Sequence, residues 1–300
     1  MKFVLLSDVH LLYDNPIARK DIARETQLEK LSYIFQYAHD NDCVVLQAGD
    51  LFDKPRSWRV LSSIISVIKF TSMPICAVYG QHDMYLYNEE NKNSTALGIL
   101  AAANYIEILD STTHCYGNCD IYGCSYGQEV PRVKRVKGRT NILVTHRSIS
   151  MQVEHGTQDL AHQFIRKYKE YDLILCGDIH KHFVYKLDGR IIVNTGPLLR
   201  KEATQAMVEH HPCFYVFDSN TGALDSVEIP HRPSEEVLSF EHLEKQNRTN
   251  KLLEEFVTKI KTDEVPTVSF IDNLLNWIEK NNMSDEVKII IDNLVNKVKE

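Results

Sequence analysis

Aspartates and histidines recur at the ends of apolar, β-like stretches of this chain, and that pairing is the chemistry of a divalent-metal centre. Phe3-Val-Leu-Leu-Ser runs into Asp8-Val-His10, and Val44-Val-Leu-Gln-Ala runs into Gly49-Asp50. Ile75-Cys-Ala-Val-Tyr leads to Gly80-Gln81-His82-Asp83, Ile142-Leu-Val-Thr leads to His146, and Leu173-Ile-Leu-Cys leads to Gly177-Asp178-Ile-His180. The mixture of carboxylate, imidazole and amide oxygen suits Mn²⁺, Fe or Zn²⁺ better than Ca²⁺, which takes oxygen ligands alone.

For these side chains to meet, their strands must end along one edge, as in an open α/β sheet whose ligands collect outside the strand ends. The intervening segments supply the crossovers. Gln27 to His39 carries Leu28, Leu31, Ile34, Phe35 and Ala38 at helical spacing, and Ser57 to Phe70 carries Leu61, Ile64, Ile65 and Ile68. Successive β-α-β units imply parallel strands. Tyr85 to Asn93 reads as a polar surface loop, followed by a helix over Ser94 to Ala103 and strands at Ile106–Leu109, Asp120–Tyr122 and Thr140–Thr145. A helix is expected from Gln158 to Tyr168, then strands at Arg190–Val193 and Phe214–Phe217, with turns at Asp188-Gly189 and Asn220-Thr-Gly222.

At Pro230-His-Arg-Pro233 the composition changes, dividing a catalytic region (1–232) from a helical C-terminal region (233–300). The latter has three apolar stripes: Leu252, Leu253, Phe256, Val257 and Ile260; Phe270, Ile271, Leu274, Leu275 and Ile278; and Val287, Ile290, Ile291, Leu294, Val295 and Val298. Ser284 is placed to cap the last helix, with Asp285 and Glu286 in its first turn. The stripes fit either a capping or partner-docking element or helices packed back on the catalytic region.

Taken in order, the motifs D-x-H, G-D-x-x-D, G-x-H-D, T-H and G-x-x-H resemble those of the calcineurin-like metallophosphoesterase superfamily. Gly49-Asp-Leu-Phe-Asp53, with the early D-x-H and the helical tail, is similar to the SbcD-type nuclease subunits of DNA repair complexes. The resemblance implies an α/β fold, a four-layer α-β-β-α sandwich with a helical C-terminal appendage. It also implies a two-metal phosphodiester hydrolase acting on DNA as an exo- or endonuclease in repair, recombination or replication. Mn²⁺ is the first choice of ion, with Mg²⁺, Fe and Zn²⁺ as alternatives. Carried over residue by residue, Asp8, His10, Asp50 and His180 hold one ion, and Asp50, Gln81, His146 and Asp178 the other. Asp50 is the bridge. His82 becomes the general acid or charged phosphate stabiliser with Asp83 orienting its ring, and water is the nucleophile. An SbcC-like coiled-coil ATPase and a second copy of the chain are the implied partners.

Two positions depart from the family pattern. Gln81 stands where asparagine is usual, offering the same amide oxygen one methylene further out, and Asp178 stands where histidine is usual. The added carboxylate hardens the second ion position toward Mn²⁺ or Mg²⁺ and away from Zn²⁺. An alternative register uses His180 and His182 as the late pair. Asp53 could hold His10 or His82 or simply cap a turn, and Arg147 and Asn194-Thr-Gly-Pro197 could meet substrate or form a polar loop. Two other functions fit the same motifs: hydrolysis of small nucleotides or phosphoproteins, and a non-catalytic scaffold.

A net charge of −7 argues against a protein that coats nucleic acid but not against a nuclease with a local basic patch. Arg132-Val-Lys134-Arg135-Val-Lys137-Gly-Arg139 is the densest such run, either a phosphate contact or a solvated loop. The cysteines number seven, and Cys43, Cys76, Cys176 and Cys213 fall in apolar runs, so no disulfide framework is expected. Cys115, Cys119 and Cys124 lack the paired C-x-x-C spacing of structural zinc and read as hairpin residues. No apolar run approaches the roughly 20 residues of a membrane span, so the chain is expected to be cytoplasmic and free of membrane.

Overall fold

Alternate residues along the central strands are apolar on both faces, which requires sheets covered on two sides. The computed structural model describes residues 1–69, 73–153, 159–241, 252, 254, 270–281 and 283–299. One sheet joins β1 (Lys2–Leu6), β2 (Cys43–Gln47), β3 (Ile75–Ala77) and β4 (Glu107–Ile108) in parallel. Its other side is closed by antiparallel β13 (Cys213–Asp218) and β14 (Ala223–Glu228), in the order β14-β13-β1-β2-β3-β4. The second sheet contains β5 (His114–Tyr116), β6 (Cys119–Cys124), β7 (Thr140–Thr145), β10 (Leu173–Cys176), β11 (Phe183–Leu187) and β12 (Arg190–Asn194). Its order is β11-β12-β10-β7-β6-β5, parallel in the middle and antiparallel at both edges. Two short strands, β8 (Ile149–Ser150) and β9 (Asp159–Leu160), pair separately.

Phe3, Leu5, Val44, Leu46, Ile142, Val144, Leu173 and Leu175 fill the space between the sheets. Their strand neighbours Val4, Leu6 and Val45 face the other way, toward Leu31, Ile34 and Phe35 of α1 (Ala23–Asp40), Ile64 of α2 (Trp58–Ile68) and Leu97 of α3 (Ala96–Ala102). On the second sheet Leu143, Ile174 and Ile192 face Phe164 and Ile165 of α4 (Ala161–Lys167). The result is the four-layer sandwich, helix on sheet on sheet on helix. α1 begins at Ala23, ahead of its apolar stripe, because Asn15 Oδ1 accepts the Ala23 N–H at 2.7 Å. The expected polar loop after Asp83 is wound into 3₁₀ turns at Tyr85–Tyr87 and Glu89–Ser94. Phe70 and Gln158, expected ends of two helices, lie outside the described residues.

The change of composition at 230–233 does not divide the packing. α5 (Gln205–Glu209) precedes it and α6 (Ser234–Val237) follows it, yet α6 is tied to the N-terminal region. Lys20 N–H donates to Val237 O at 3.0 Å and Ser239 N–H to Ala18 O at 2.8 Å, while Val237 and Leu238 are buried. The first compact unit therefore runs from Met1 to Phe240, past the boundary at 232 that composition suggests, and the second from Glu241 to Glu300. In the second unit, α7 (Phe270–Lys280) and α8 (Asp285–Lys299) bury Leu274, Ile278 and Ile291 together. Asp285 and Glu286 occupy the first turn of α8, as its sequence predicts. Of the Leu252–Ile260 stripe, Leu253, Phe256, Val257 and Ile260 lie outside the described residues.

The basic run is a clasp. Arg132 pairs with Glu170 at 3.1 Å, Arg139 with Asp120 at 2.6 Å, and Arg135 with Asp172. Those guanidiniums fasten the 125–139 segment to the second sheet and its flanking loop, each already paired with a carboxylate. All seven cysteines are unpaired thiols. Among the described residues no helix is long and apolar enough to cross a membrane.

Two substitutions test this packing. Leu175→Ala, in the layer between the sheets, is expected to cost about 2–5 kcal/mol, read as a lower denaturant midpoint at unchanged slope. Lys30, a buried amine on α1, donates to Leu198 O at 2.8 Å. Burial, reinforced by the nearby Arg19 and Arg200 guanidiniums, pushes its pKa down to about 7. Between that value and the ordinary ammonium range the unfolded chain holds the extra proton, so stability rises with pH across this window and falls away as pH drops toward about 7. Lys30→Met should flatten that slope in denaturant titrations; an unaltered slope would contradict the assignment.

Candidate metal centre

Every motif follows the C-terminal end of a parallel strand: Asp8 and His10 after β1, Asp50 after β2, Gln81 to Asp83 after β3, His146 after β7, Asp178 and His180 after β10. At four of these residues the backbone turns left-handed, with φ of 49° at Asp8, 46° at His10, 54° at Asp50 and 81° at Asp178. Such conformations in non-glycine residues cost about 1–3 kcal/mol each and gather at functional sites. Gly49, at φ 87°, lets the second motif pass the His146 ring, because a Cβ there would lie 2.5 Å from His146 Nδ1. A Cβ at Gly80 would overlap the Asp50 carboxylate.

Asp50 lies at the middle. Its Oδ2 is 3.6 Å from His10 Nε2 and 3.3 Å from His146 Nε2, and its Oδ1 accepts the His82 N–H at 2.8 Å. Asp8 Oδ1 accepts the Asp178 N–H at 3.0 Å and stands 3.9 Å from His180 Nε2, which is itself 2.9 Å from His10 Nε2. Potential ligand atoms of Asp8, His10 and His180 all lie within 4.8 Å of one another, and so do those of Asp8, Asp50 and His146. His146 donates from Nδ1 to Ala48 O at 2.6 Å, which fixes the tautomer and leaves Nε2 toward Asp50 and, at 3.9 Å, Asp178 Oδ1. Gln81 donates from Nε2 to Asp178 Oδ1 at 2.6 Å.

Among the described residues, seven buried side-chain nitrogen or oxygen atoms have no hydrogen-bond partner, and five of them are here: Asp8 Oδ2, His10 Nδ1, Asp50 Oδ2, Gln81 Oε1 and His146 Nε2. Buried polar atoms are otherwise almost always satisfied. Three of the five belong to Asp8, Asp50 and His146, whose potential ligand atoms gather together, and with the Gln81 amide oxygen, on the side chain that binds Asp178, they make a donor set that fits divalent ions.

The electrostatics agree. Burial pushes the His10 imidazole down to about 2, outweighing the pull of Asp50, so it is neutral and able to ligate. Burial also raises the Asp8 carboxyl despite His146 and His180. At Asp50 burial is overcome by the charge and hydrogen bond of His146, with help from His10 and His82, and its pKa falls. Burial would lower His146, but the Asp50 carboxylate and Asp8 outweigh it and raise that imidazole.

Asp83 does not orient the His82 ring as expected. Its oxygens accept the N–H groups of Phe52 at 2.9 Å, Gly80 at 3.0 Å and Leu51 at 3.2 Å, so it welds the third motif to the second. Fully buried among those amides and beside Asp50, its carboxyl is pushed up to about 7 by burial and by the Asp50 charge. The ring is held instead by the backbone of Asp53: His82 Nδ1–H donates to Asp53 O at 2.9 Å, leaving Nε2 free. The Asp53 carboxylate binds Lys201 and lies 3.9 Å from His10 Nδ1. His182 stacks obliquely toward His210, with ring centroids 6.3 Å apart, so the late motif turns His180 and not His182 toward Asp8. Asn194 and Thr195 are buried braces: Thr195 Oγ1 accepts the Ser7 N–H at 2.9 Å, and Asn194 Nδ2–H donates to Ile179 O at 2.9 Å. Arg147 pairs with Asp159 at 2.5 Å and lines a cavity of about 350 Å³ with His146, Asp178 and Tyr126.

A family profile described as calcineurin-like phosphoesterase matches residues 1–182, the stretch that carries all of these motifs. The chain belongs to that family. No curated protein sequence matches it. Solved structures similar in fold include TT1561 of Thermus thermophilus, at 12% identity, TM-score 0.49, over 76% of this chain and 99% of that one. An archaeal phosphodiesterase is 16% identical over 76% of this chain and all of its own, TM-score 0.43. The phosphopantetheinyl hydrolase PptH of Mycobacterium tuberculosis is 9% identical over 69% of this chain and 94% of its own, TM-score 0.42. Likeness at this distance says nothing of substrate.

In this calcineurin-like phosphoesterase the parts that residue patterns do not announce are main-chain ones: the carbonyls of Ala48 and Asp53 and the amides that hold Asp83. Lys201 carried no motif either. Because His146 must lose its proton to ligate, the apparent affinity for Mn²⁺ should rise with pH through the neutral range, with proton release on binding. Calorimetry in buffers of different ionisation heat measures that release. Asp50→Asn should abolish both binding and release, whereas binding with no proton exchange at neutral pH would contradict the picture.

Proposed function

We propose that this calcineurin-like phosphoesterase is a two-metal DNA nuclease of SbcD type, hydrolysing phosphodiester bonds with Mn²⁺ as its preferred ion. The observation that carries the reading is that one cavity is lined by the ligand candidates His146 and Asp178 and another by Asp53, whose carbonyl holds the His82 ring. The first is of about 350 Å³ and the second of about 230 Å³. A phosphomonoester needs room on one side of phosphorus, whereas a diester within a strand needs room on both. Gly49-Asp-Leu-Phe-Asp53 supports the nuclease subfamily.

On this reading Asp8, His10, Asp50 and His180 hold one ion and Asp50, Gln81, His146 and Asp178 the other. Bound ions supply Lewis-acid charge to the phosphoryl oxygens and make water nucleophilic near neutral pH. The chain does the rest. Asp50 keeps its negative charge where the two sets of ligand residues meet, and the Ala48 and Asp53 carbonyls orient the rings of His146 and His82. Protonated on both ring nitrogens, with Nδ1–H on the Asp53 carbonyl, His82 would give its Nε2 proton to the departing oxygen and be left as the neutral Nδ1–H imidazole, and Asp83 keeps the His82 loop in register with Asp50. An SbcC-like coiled-coil ATPase is the partner this reading implies. Exposed Ile289, Ile290 and Leu294 on α8 support a docking role for the C-terminal unit. Homodimerisation belongs to the same proposal.

The test is incubation with Mn²⁺ and, in parallel, linear duplex DNA, single-stranded DNA, a generic phosphodiester and a phosphomonoester. DNA cleavage is expected, abolished by chelation and by Asp50→Asn, and lowered about 10²–10⁴-fold in kcat by His82→Ala with metal content retained. Turnover of small esters alone would move the assignment to nucleotides or phosphoproteins. Zinc outperforming manganese would overturn the choice of ion, and failure to bind metal would favour a scaffold.

A further inference from the structure

The 230 Å³ cavity on the Asp53 side is walled by side chains that the hydrolytic centre does not use. Two aromatic rings of its wall stand open to water, Tyr13 at 43% and Trp58 at 44% exposure, and a third, Tyr85 at 37%, lies outside the wall beneath Arg56. Guanidiniums lie over two of them. The Cζ atoms of Arg24 and Arg59 are each 4.8 Å from the Tyr13 ring centroid, and Arg56 Cζ is 4.2 Å from that of Tyr85. Among the described residues none of these three arginines has a side-chain hydrogen bond or carboxylate partner, unlike Arg132, Arg135 and Arg139. The acids lining the cavity are Asp14, itself 3.5 Å from Lys54, and Asp53, engaged by Lys201. In a chain of net charge −7, an un-neutralised cationic patch interleaved with exposed aromatic faces is complementary to a polyanion that also offers flat rings.

Resting on the nuclease reading, we propose that this cavity is a stacking site for an unpaired nucleobase of a single-stranded segment, with Trp58 as its platform and Arg56 and Arg59 on the flanking phosphates. Both faces of a base inside a duplex are covered by its neighbours, so an aromatic platform selects strand ends, flaps or melted segments. The site adjoins the chemistry, because Asp53 lines the cavity while its carbonyl holds the His82 ring. A base seated there places its own strand, and not a random one, beside the proton donor.

Binding is measured on the full chain with a dye-labelled oligothymidylate, without added metal, by fluorescence anisotropy. Trp58→Ala and the double variant Arg56→Ala/Arg59→Ala are expected to weaken binding roughly 5- to 150-fold, with Trp58→Phe retaining most of it. A strand of abasic residues, with the same phosphates, should bind more weakly and be indifferent to Trp58→Ala. In a Trp277→Phe background, oligothymidylate should quench the remaining Trp58 emission. The proposal is overturned if the abasic strand binds as tightly as oligothymidylate, if Trp58→Ala binds like wild type, or if a blunt duplex binds as well as the single strand. The two readings fail differently. Quenching without any DNA cleavage would sink the nuclease assignment and keep the stacking site, whereas cleavage with no dependence on Trp58 would do the reverse.

Discussion

Asp8, Asp50 and Asp83 are all buried in one neighbourhood, and keeping carboxylates that close in a poorly hydrated interior is the constraint that shapes the rest of the molecule. An uncompensated buried charge is far more costly than any single packing contact. Each carboxylate has its own compensation. Asp83 is surrounded by three backbone N–H groups, Asp50 by His146, His10 and the His82 amide, and Asp8 by the Asp178 amide and Ser7. Those partners come from both sheets, so neither sheet can slide on the other without exposing a charge.

Much of this was readable from residue order. Asp8, His10, Asp50, His146 and His180 each interrupt or end a run that alternation would otherwise keep apolar, and a polar group at such a place needs a reason. The runs announced an α/β sheet of parallel strands that must be covered on both faces, and the count of four layers was what the family resemblance implied. The purpose of Asp83 was not readable, because a carboxylate serving backbone amides looks like one serving a ring. Nor was the Asp53 carbonyl, since every residue owns one. The Pro230–Pro233 change looked like a boundary, but the hydrogen bonds that carry α6 back to Ala18 and Lys20 join positions far apart in sequence that composition does not link.

The arginines divide into two populations by the same logic of compensation. Arg132, Arg135 and Arg139 neutralise carboxylates at the rim of the second sheet and are spent on folding. Arg24, Arg56 and Arg59 lie over aromatic rings, which shelter a cation without cancelling it. Counting basic residues along the chain points to the first group; only the partners of each guanidinium point to the second.

The left-handed backbone at Asp8, His10, Asp50 and Asp178 means that these positions are specified twice, once by the donor atom and once by the torsion that aims it. Aspartate and asparagine tolerate that torsion because their short polar side chains bond locally, and alanine does not share the advantage. An alanine scan would therefore merge two losses into one number, chemistry and chain direction. At the three aspartates the isosteric amide removes the charge and keeps the torsional tolerance and the accepted backbone hydrogen bonds, so the difference between Asn and Ala there would measure what chain direction, apart from charge, contributes at each ligand.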